Sequence, residues 1–241
     1  MSGEQPTPRP RTPWLAAIGG GVIGSLATAA LLLLAAPQLI GPKLVRDALI
    51  KQPQILVEAS DALRDGQYAP VLAANRAALE TPFGSSWKGS AKPDVVMTYF
   101  YDYACGYCRK SNPDIERLVA DDKGLRVVFL ELPILGPDSV AASRVALAAS
   151  RAGRFGQFHD GLFAAGRPTT EAIASVANGL GITPDSARDP AIEAEIQKNM
   201  NLAGQLGATG TPLFVIGDKV INSAVGYDAL KQAIATTRAR S

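Results

Sequence analysis

The sequence predicts an α/β domain that carries an all-helical insertion and that follows N-terminal helices and one transmembrane helix. Three observations support this prediction. From residue 95 onward the chain contains short apolar runs typical of buried strands, and the first run leads directly into Cys105-Gly106-Tyr107-Cys108. The long stretch between the second and third runs shows helix signals and no strand signal. Near the start of the chain, residues 14–36 carry no charged side chain.

The first 36 residues predict a tail and a membrane anchor. Residues 1–13 are rich in Pro, Thr and Arg and predict a disordered tail. A helix over residues 14–36 would be about 34 Å long, enough for a bilayer core of about 30 Å. Pro37 follows the place where a cut after Ala36 would fall. The length of the span and this proline favour an uncleaved anchor over a cleaved signal peptide.

Residues 37–88 predict a helical segment and a linker. Pro53 and Pro70 interrupt the helical pattern, and either could start a new helix. Apolar side chains recur there at helical spacing. They could pack back onto the domain as core or form an interface between subunits. Thr81–Asp94 is rich in Pro, Gly, Ser and Lys and predicts the linker.

The remaining residues, 89–241, predict one α/β domain. We expect a strand at 94–101, a helix from the cysteine motif to about Asp122, and a parallel strand at Leu125–Leu132. Further elements are strands at 213–216 and 220–222 and a helix over 227–238.

A helical insertion is expected at about residues 136–207. Asp138 is expected to cap a helix that runs to Ala152, and Thr169 one that runs to about Gly179. Asp189, followed by Pro190, is expected to cap a helix that ends at Gly207.

Cys105 and Cys108 are the two cysteines of the chain, and their spacing between a strand and a helix is typical of a thiol–disulfide redox site. A cysteine at a helix start faces unpaired backbone N–H groups, which favour its thiolate. A zinc site needs four ligands, and the cysteines with the single His159 supply at most three. A structural disulfide over so short a loop would remove little chain entropy. Inert buried thiols are the remaining alternative.

Thr211-Pro212 directly precedes the predicted strand at 213–216. The proline could simply mark the strand entry, since it cannot donate to a ladder. Alternatively it is a cis proline that leaves the neighbouring backbone open to a substrate peptide. The net charge of +2, with acids and bases mixed along the chain, does not indicate nucleic-acid binding, and no metal site is predicted.

Residues 100–108, the helical insertion, Gly210-Thr211-Pro212 and the final hairpin together resemble the DsbA family of the thioredoxin fold. The similarity covers residues 90–241. Residues 44–80 also resemble the N-terminal helices of trimeric ScsC-type proteins, envelope relatives that act as disulfide isomerases. The resemblance therefore implies a thioredoxin fold with a DsbA-like helical insertion.

The resemblance also implies roles for individual residues. Cys105 would be the exposed nucleophile and Cys108 the buried resolving thiol, with their disulfide in place of any cofactor. Thr211 and Pro212 would bind the substrate backbone. Gly106 and Tyr107 would tune the nucleophile through their backbone N–H groups and through the access they leave to it.

Many family members carry a buried glutamate six residues before the nucleophile, where this chain has Tyr99. Asp102 and Glu131 are the alternative proton acceptors for the buried thiol. We expect His159, in the insertion, to lie on a helix surface; a pH-switch role is the competing interpretation.

The expected activity is that of a membrane-anchored disulfide isomerase or reductase in the periplasm of a bacterium, with the tail in the cytoplasm, because this chemistry needs an oxidising compartment. An oxidase is the first alternative, and a non-catalytic chaperone or binding module on the same scaffold is the second. An isomerase would need an electron donor of the ScsB or DsbD type, an oxidase an acceptor of the DsbB type. The clients would be cysteine-containing envelope proteins, and residues 44–80 could form a homo-oligomer.

Overall fold

The structure, a computed structural model, describes residues 42–183 and 185–240. Within these ranges the chain divides into two units, with the boundary between Asp61 and Ala62. None of the helices within the described ranges combines the length and apolar composition that a membrane span requires. The predicted tail at 1–13 and the predicted anchor at 14–36 lie outside these ranges.

Two helices begin the described chain: α1 covers residues 42–51 and α2 covers Gln54–Glu80. The break between them falls at Pro53, one of the two predicted positions. The prediction of a second break at Pro70 was wrong, because α2 continues through it. The proline removes one helical hydrogen bond, and burial of Leu72 and Leu79 in the following turns offsets that loss. Earlier apolar side chains are exposed, namely Leu44, Val45, Ile50, Leu56, Val57 and Leu63.

A five-stranded sheet forms the centre of the second unit. Its strands are β1 (Trp87–Gly89), β2 (Val95–Tyr101), β3 (Leu125–Glu131), β4 (Leu213–Ile216) and β5 (Lys219–Ile221), in the spatial order β1-β3-β2-β4-β5. Helix α3 (Gly106–Asp121) connects β2 to β3, and these two strands are parallel, as predicted. The other three strands pair antiparallel with their neighbours. β1 was not predicted; it lies inside the segment expected to be a linker.

The sheet is covered on both faces. Side chains of Met97, Tyr99 and Phe129 point to the face that α3, α8 (Tyr227–Arg238) and most of the insertion cover. Side chains of Phe100 and Val128 point to the opposite face, where Leu72 and Leu79 of α2 meet the end of α7 (Pro190–Gln205). Because side chains alternate along a strand, this register decides which residues of β2 lie on the cysteine side.

The insertion is helical, as predicted. It contains α4 (Pro137–Arg151), α5 (Phe155–Ala165), α6 (Thr170–Gly179), a short 3-10 helix (Asp185–Arg188) and α7 (Pro190–Gln205). The predicted caps at Thr169 and Asp189 are confirmed, since their side chains accept hydrogen bonds from Ala172 N and Ala191 N. The expected cap at Asp138 was wrong. Gly136 precedes the helix, Pro137 takes its first position, and Asp138 lies within the first turn.

Candidate active site

The predicted site residues meet at one edge of the sheet. β2 ends at Tyr101 and the chain turns into α3 at Cys105, the residue that caps this helix. β4 runs antiparallel to β2, with Leu213 opposite Phe100. The residues just before β4, Thr211 and Pro212, therefore lie beside the end of β2 and the start of α3.

Cys105 and Cys108 are both free thiols. The Sγ of Cys105 accepts a hydrogen bond from the backbone N of Cys108 over 3.4 Å and lies 3.2 Å from the carbonyl O of Thr211. Cys108 is completely buried, as expected. The expectation of an exposed nucleophile was wrong in degree, because Cys105 keeps only 6% of its surface accessible. The Thr211 contact shows why: the loop before β4 packs against the sulfur.

The surroundings of the two thiols give them different pKa values. A hydrogen bond from the Cys108 side chain lowers the pKa of Cys105 from 9.0 to about 5. The Thr211 hydroxyl and the backbone N–H groups of Tyr107 and Cys108 act in the same direction, while burial opposes them. Burial is the main cause that raises the pKa of Cys108. At neutral pH, Cys105 is therefore the thiolate and Cys108 the thiol.

Thr211 and Pro212 are joined by a cis peptide bond. Next to this loop, Gly106 is exposed and Tyr107 is 64% exposed, so a partner molecule can reach the residues between the cysteines. The tyrosine ring makes a cation–π contact with Lys110. Tyr107 acts on Cys105 through its backbone N–H rather than through its phenol.

Asp102, the residue that follows β2, is a buried connector between two loops. One carboxylate oxygen accepts hydrogen bonds from Ala104 N and Ser139 Oγ, both over 2.7 Å. The other oxygen accepts from the backbone N atoms of Ile134 and Leu135, over 2.9 and 3.0 Å. These four donors occupy the lone-pair positions of the carboxylate, and the Asp102 carbonyl also accepts from Cys105 N. Asp102 therefore joins the turn before Cys105 to the loop after β3.

Glu131, at the end of β3, is also buried, and burial raises its pKa to about 8. The hydroxyl of Tyr101 donates to one of its oxygens and the hydroxyl of Ser143 to the other. From Tyr101 the polar contacts continue to the hydroxyl of Tyr103, at 3.2 Å, and from there to Nδ1 of His159, at 3.5 Å. This network was not predicted. Tyrosines at alternate positions 99, 101 and 103, the first two on one face of β2 and the third in the turn that follows, were the available signal.

His159 is buried, with 1% of its surface accessible, so the expectation of a helix-surface position was wrong. Its ring lies among aromatic rings of β2, β3 and α5, including Phe129 at 4.8 Å and Phe163 at 4.9 Å. Burial holds the pKa of His159 well below 6.5. The face of α5 that carries His159 is the face that packs on the sheet.

Tyr99 occupies the position where many members of the family that the sequence resembles carry a buried glutamate. It is fully buried, and its hydroxyl donates to the carbonyl O of Cys108 over 3.3 Å. No hydrogen bond joins Cys108 to the carboxylate of Asp102 or Glu131 in the part of the chain that the structure describes. The phenol of Tyr99 therefore lies against the backbone of Cys108.

Comparisons with known proteins agree with this geometry. The family model of the DSBA-like thioredoxin domain matches residues 96–235, and that of the copper resistance protein ScsC N-terminal domain matches residues 42–69. A periplasmic thioredoxin-like protein from Salmonella enterica serovar Typhimurium is 31% identical, with a TM-score of 0.63; the match covers 68% of this chain and 95% of that one.

Two further solved structures are similar. A linker-deletion mutant of Proteus mirabilis ScsC is 29% identical over 86% of this chain and 97% of its own, with a TM-score of 0.65. The thiol-disulfide exchange protein alpha-DsbA2 from Wolbachia pipientis is 26% identical over 74% of this chain and 97% of its own, with a TM-score of 0.64.

Among curated proteins, the chain is similar to parts of two Na(+)/H(+) antiporters. NhaA 3 of Salinispora tropica is 23% identical over 92% of this chain, and NhaA 1 of Salinispora arenicola is 25% identical over 61%. The matched regions span 37% and 24% of those two proteins, respectively.

The match to the first family model extends over more than half of the chain. It includes the cysteine pair, the helical insertion and the cis-proline loop. The chain therefore belongs to the family of DsbA-like thioredoxin domains, whose members are thiol–disulfide oxidoreductases.

Proposed function

We propose that this protein is a thiol–disulfide oxidoreductase that exchanges disulfides with cysteine-containing proteins of the bacterial envelope. The observation that carries the proposal is the pairing of an acidic thiol with a buried one. Cys105 has a pKa of about 5 at the start of α3, and Cys108, which donates to it, is fully buried. Only a thiolate attacks a disulfide, and only one of these sulfurs is a thiolate at neutral pH.

The reaction follows from this difference. Cys105 attacks one sulfur of a client disulfide, a mixed disulfide forms, and the other client sulfur leaves with the electron pair. Cys108 then attacks Cys105, which releases the client as a dithiol and leaves a Cys105–Cys108 disulfide. In the reverse direction the protein donates its disulfide to a client dithiol. This disulfide is the redox group that the reaction uses.

The client backbone is proposed to bind along Thr211 and Pro212. Proline has no N–H, so the chain before β4 offers an edge on which an extended peptide can pair. Exposed apolar side chains near this edge support the idea: Tyr107 lies between the cysteines, and Ile134 and Leu135 lie in the loop that Asp102 holds. Such side chains fit unfolded clients, which expose apolar segments.

We propose that the protein works as an isomerase or reductase. The match of residues 42–69 to the ScsC N-terminal domain supports this direction. So do the exposed apolar side chains of Leu44, Ile50 and Val57, which would become buried in a homo-oligomer built on residues 44–80. An isomerase must be kept reduced, so the proposed partner is a membrane electron donor of the ScsB or DsbD type.

One observation favours an oxidase instead. A thiolate of low pKa stabilises the reduced form of the pair, and a stabilised reduced form makes a stronger oxidant. The pKa of about 5 for Cys105 acts in this direction. An oxidase would deliver its electrons to an acceptor of the DsbB type.

We further propose that residues 14–36 anchor the protein in the inner membrane and place residues 37–241 in the periplasm. The uncharged composition of this stretch supports the anchor. The likeness to a periplasmic protein of Salmonella supports the compartment.

The activity test is the refolding of a scrambled, multi-disulfide client with catalytic amounts of the protein. We expect the wild type to restore client activity and Cys105→Ser to lose the effect, with Cys108→Ser trapping mixed disulfides. Ser111→Ala, one turn further along α3, is the matched control and should retain activity. Full activity in Cys105→Ser would instead identify a non-catalytic chaperone or binding module.

The redox potential of the cysteine pair tests whether the protein works as an isomerase or as an oxidase. A value near that of protein disulfide isomerase, about −180 mV, agrees with the isomerase proposal, and a value near about −120 mV assigns the oxidase. The mass of the fragment 42–241 in solution tests the homo-oligomer. A monomer at high concentration contradicts it.

A further inference from the structure

Exposed apolar side chains are concentrated at the sheet edge that carries the cysteines. β2 and β3 are parallel and end at this edge, β4 begins there, and β5 ends there because it runs antiparallel to β4. Beyond α2, the described residues include five exposed large apolar side chains. Four of them follow the ends of β2, β3 and β5, namely Tyr107, Ile134, Leu135 and Val225. Single exposed apolar residues are normal on a protein surface, whereas a group of them at one edge marks a binding surface.

Ile134 and Leu135 are neighbours in the loop after β3. Their side chains are 44% and 53% exposed. The two residues before them, Leu132 and Pro133, are buried. Leu132 N donates to the carbonyl O of Tyr101, the last residue of β2, over 2.8 Å. The loop therefore turns its first two side chains inward and the next two outward, beside the end of β2.

Asp102 fixes the backbone of this loop relative to the cysteines. One of its carboxylate oxygens accepts from Ile134 N over 2.9 Å and from Leu135 N over 3.0 Å. The other oxygen accepts from Ala104 N over 2.7 Å, and the backbone carbonyl accepts from Cys105 N over 3.1 Å. Asp102 is completely buried. One residue therefore sets the separation between the turn that carries the nucleophile and the two outward apolar side chains.

A role in folding alone does not explain this arrangement. The loop reaches solvent, so water could serve as the hydrogen-bond partner of its amides. A buried carboxylate is costly unless all its hydrogen bonds are made. The fold nevertheless holds an exposed loop with such a group. A loop that is already fixed in one conformation loses little conformational entropy when a partner binds to it.

We propose that Asp102 is a positioning residue, whose carboxylate holds Ile134 and Leu135 beside Cys105 as a subsite for an apolar side chain next to the client cysteine. The inference rests on the proposed function and names the class of client, which is a peptide with an aliphatic or aromatic residue beside its disulfide. The cis-proline loop lies on the other side of Cys105, because β3 and β4 flank β2. The client backbone pairs with that loop, and the apolar side chain contacts the subsite.

The subsite acts on binding and leaves the chemical steps as they are. Cys105 attacks the client disulfide, and the first client sulfur leaves with the electron pair of the broken bond. Cys108 loses its proton to solvent and attacks Cys105, and the second client sulfur leaves with its electron pair and takes up a proton. The client disulfide is thereby reduced to two thiols, and the two cysteines of the protein are oxidised to a disulfide.

The test compares two synthetic clients. Each is a short peptide joined to an identical copy by one disulfide, with leucine on both sides of its cysteine in one client and serine in the other. Reduced protein is mixed with increasing concentrations of each client and quenched with acid, and the released peptide thiol is measured by mass spectrometry. The limiting rate reports the chemistry, and the half-saturation concentration reports the binding.

Three variants are measured beside the wild type: Asp102→Asn, the double variant Ile134→Ser with Leu135→Ser, and the combination of all three substitutions. Met200→Ser is the matched control, because it removes the fifth exposed apolar side chain, which lies on α7 rather than in this group.

We expect Asp102→Asn and the double variant each to raise the half-saturation concentration of the leucine client about tenfold, the effect of losing a small apolar contact in a binding site. The limiting rate should change little. The serine client should react equally with all the proteins, which also shows that the variants are folded. The combined variant should lose no more than the double variant, because Asp102 acts through these two side chains. Met200→Ser should behave as the wild type.

Three results would overturn the inference: no change in Asp102→Asn, equal slowing of the leucine and serine clients by that variant, or additive losses in the combined variant. If Asp102→Asn does not fold, the double variant and amide hydrogen exchange of the wild type decide instead. An unchanged double variant, or exchange of the Ile134 and Leu135 amides as fast as in an unstructured loop, contradicts the inference. If the wild type reduces neither client, the proposed function fails, so the two failures are distinct.

Discussion

Acidification from pH 8 to pH 5 should destabilise the reduced protein relative to its Cys105→Ser variant. The folded state holds the pKa of Cys105 at about 5, compared with 9.0 for the unperturbed thiol. A group whose pKa is lower in the folded state stabilises that state above its unfolded pKa. This contribution is lost as the pH falls towards the folded pKa.

The size of the effect follows from the two pKa values. Between pH 8 and pH 5 the unfolded thiol is protonated while the folded Cys105 is largely ionised. Each pH unit in this window is therefore worth about 1.4 kcal/mol, and three units give about 4 kcal/mol. The pKa of Cys108 is raised, so this side chain stays a thiol throughout the window and adds nothing.

The measurement is urea unfolding of both reduced proteins at several pH values. Other groups, including His159 and Glu131, titrate in both proteins, so their contributions cancel in the difference. The oxidised wild type has no thiolate and should follow the serine variant. If the difference between reduced wild type and Cys105→Ser changes by less than about 1 kcal/mol across the window, the thiolate is not stabilised as the geometry indicates.

Three further predictions concern the buried residues. Asp102→Asn should lower the free energy of unfolding by about 2 to 4 kcal/mol, because an amide cannot accept from all four donors and leaves buried N–H groups unpaired; unchanged denaturant midpoints would contradict the connector role. The wild type should lose stability below about pH 6.5, because the unfolded chain protonates His159 while the buried imidazole of the folded state stays neutral. His159→Phe should reduce this loss, by about 2 kcal/mol at pH 5. Parallel pH profiles of the two proteins would show that His159 is protonated in the folded state. Leu79→Ala should cost about 2 to 5 kcal/mol of stability through loss of core packing, whereas Leu63→Ala, at an exposed position of the same helix, should cost much less; equal losses would contradict the packing of α2 on the sheet.

Local patterns were sufficient for most elements of the fold. Val95–Tyr101 and Leu125–Glu131 are short, apolar and rich in β-branched or aromatic residues, so their strand character was evident. Thr169 and Asp189 cap helices by hydrogen bonds within three residues, a range that the sequence displays directly. β1 is three residues long and owes its pairing to β3, so it carried no signal of its own.

Three of the errors share a physical cause, which is dependence on distant parts of the chain. Pro70 lies inside a helix because Leu72 and Leu79 are anchored in the core. Cys105 is nearly covered because the loop at Thr211 packs against it. His159 is buried because its helix turns that face to the aromatic rings of the sheet.

The sequence by itself determined the cysteine pair, its position between a strand and a helix, and the proline that precedes β4. These are properties of short segments, and local backbone geometry is enough to interpret them. Only the tertiary structure decided which groups surround the two cysteines: the Thr211 carbonyl lies beside the Cys105 sulfur, and the Tyr99 hydroxyl lies beside the Cys108 carbonyl. Such neighbours come from strands paired across long stretches of chain, and the burial they create sets the acidity of each thiol.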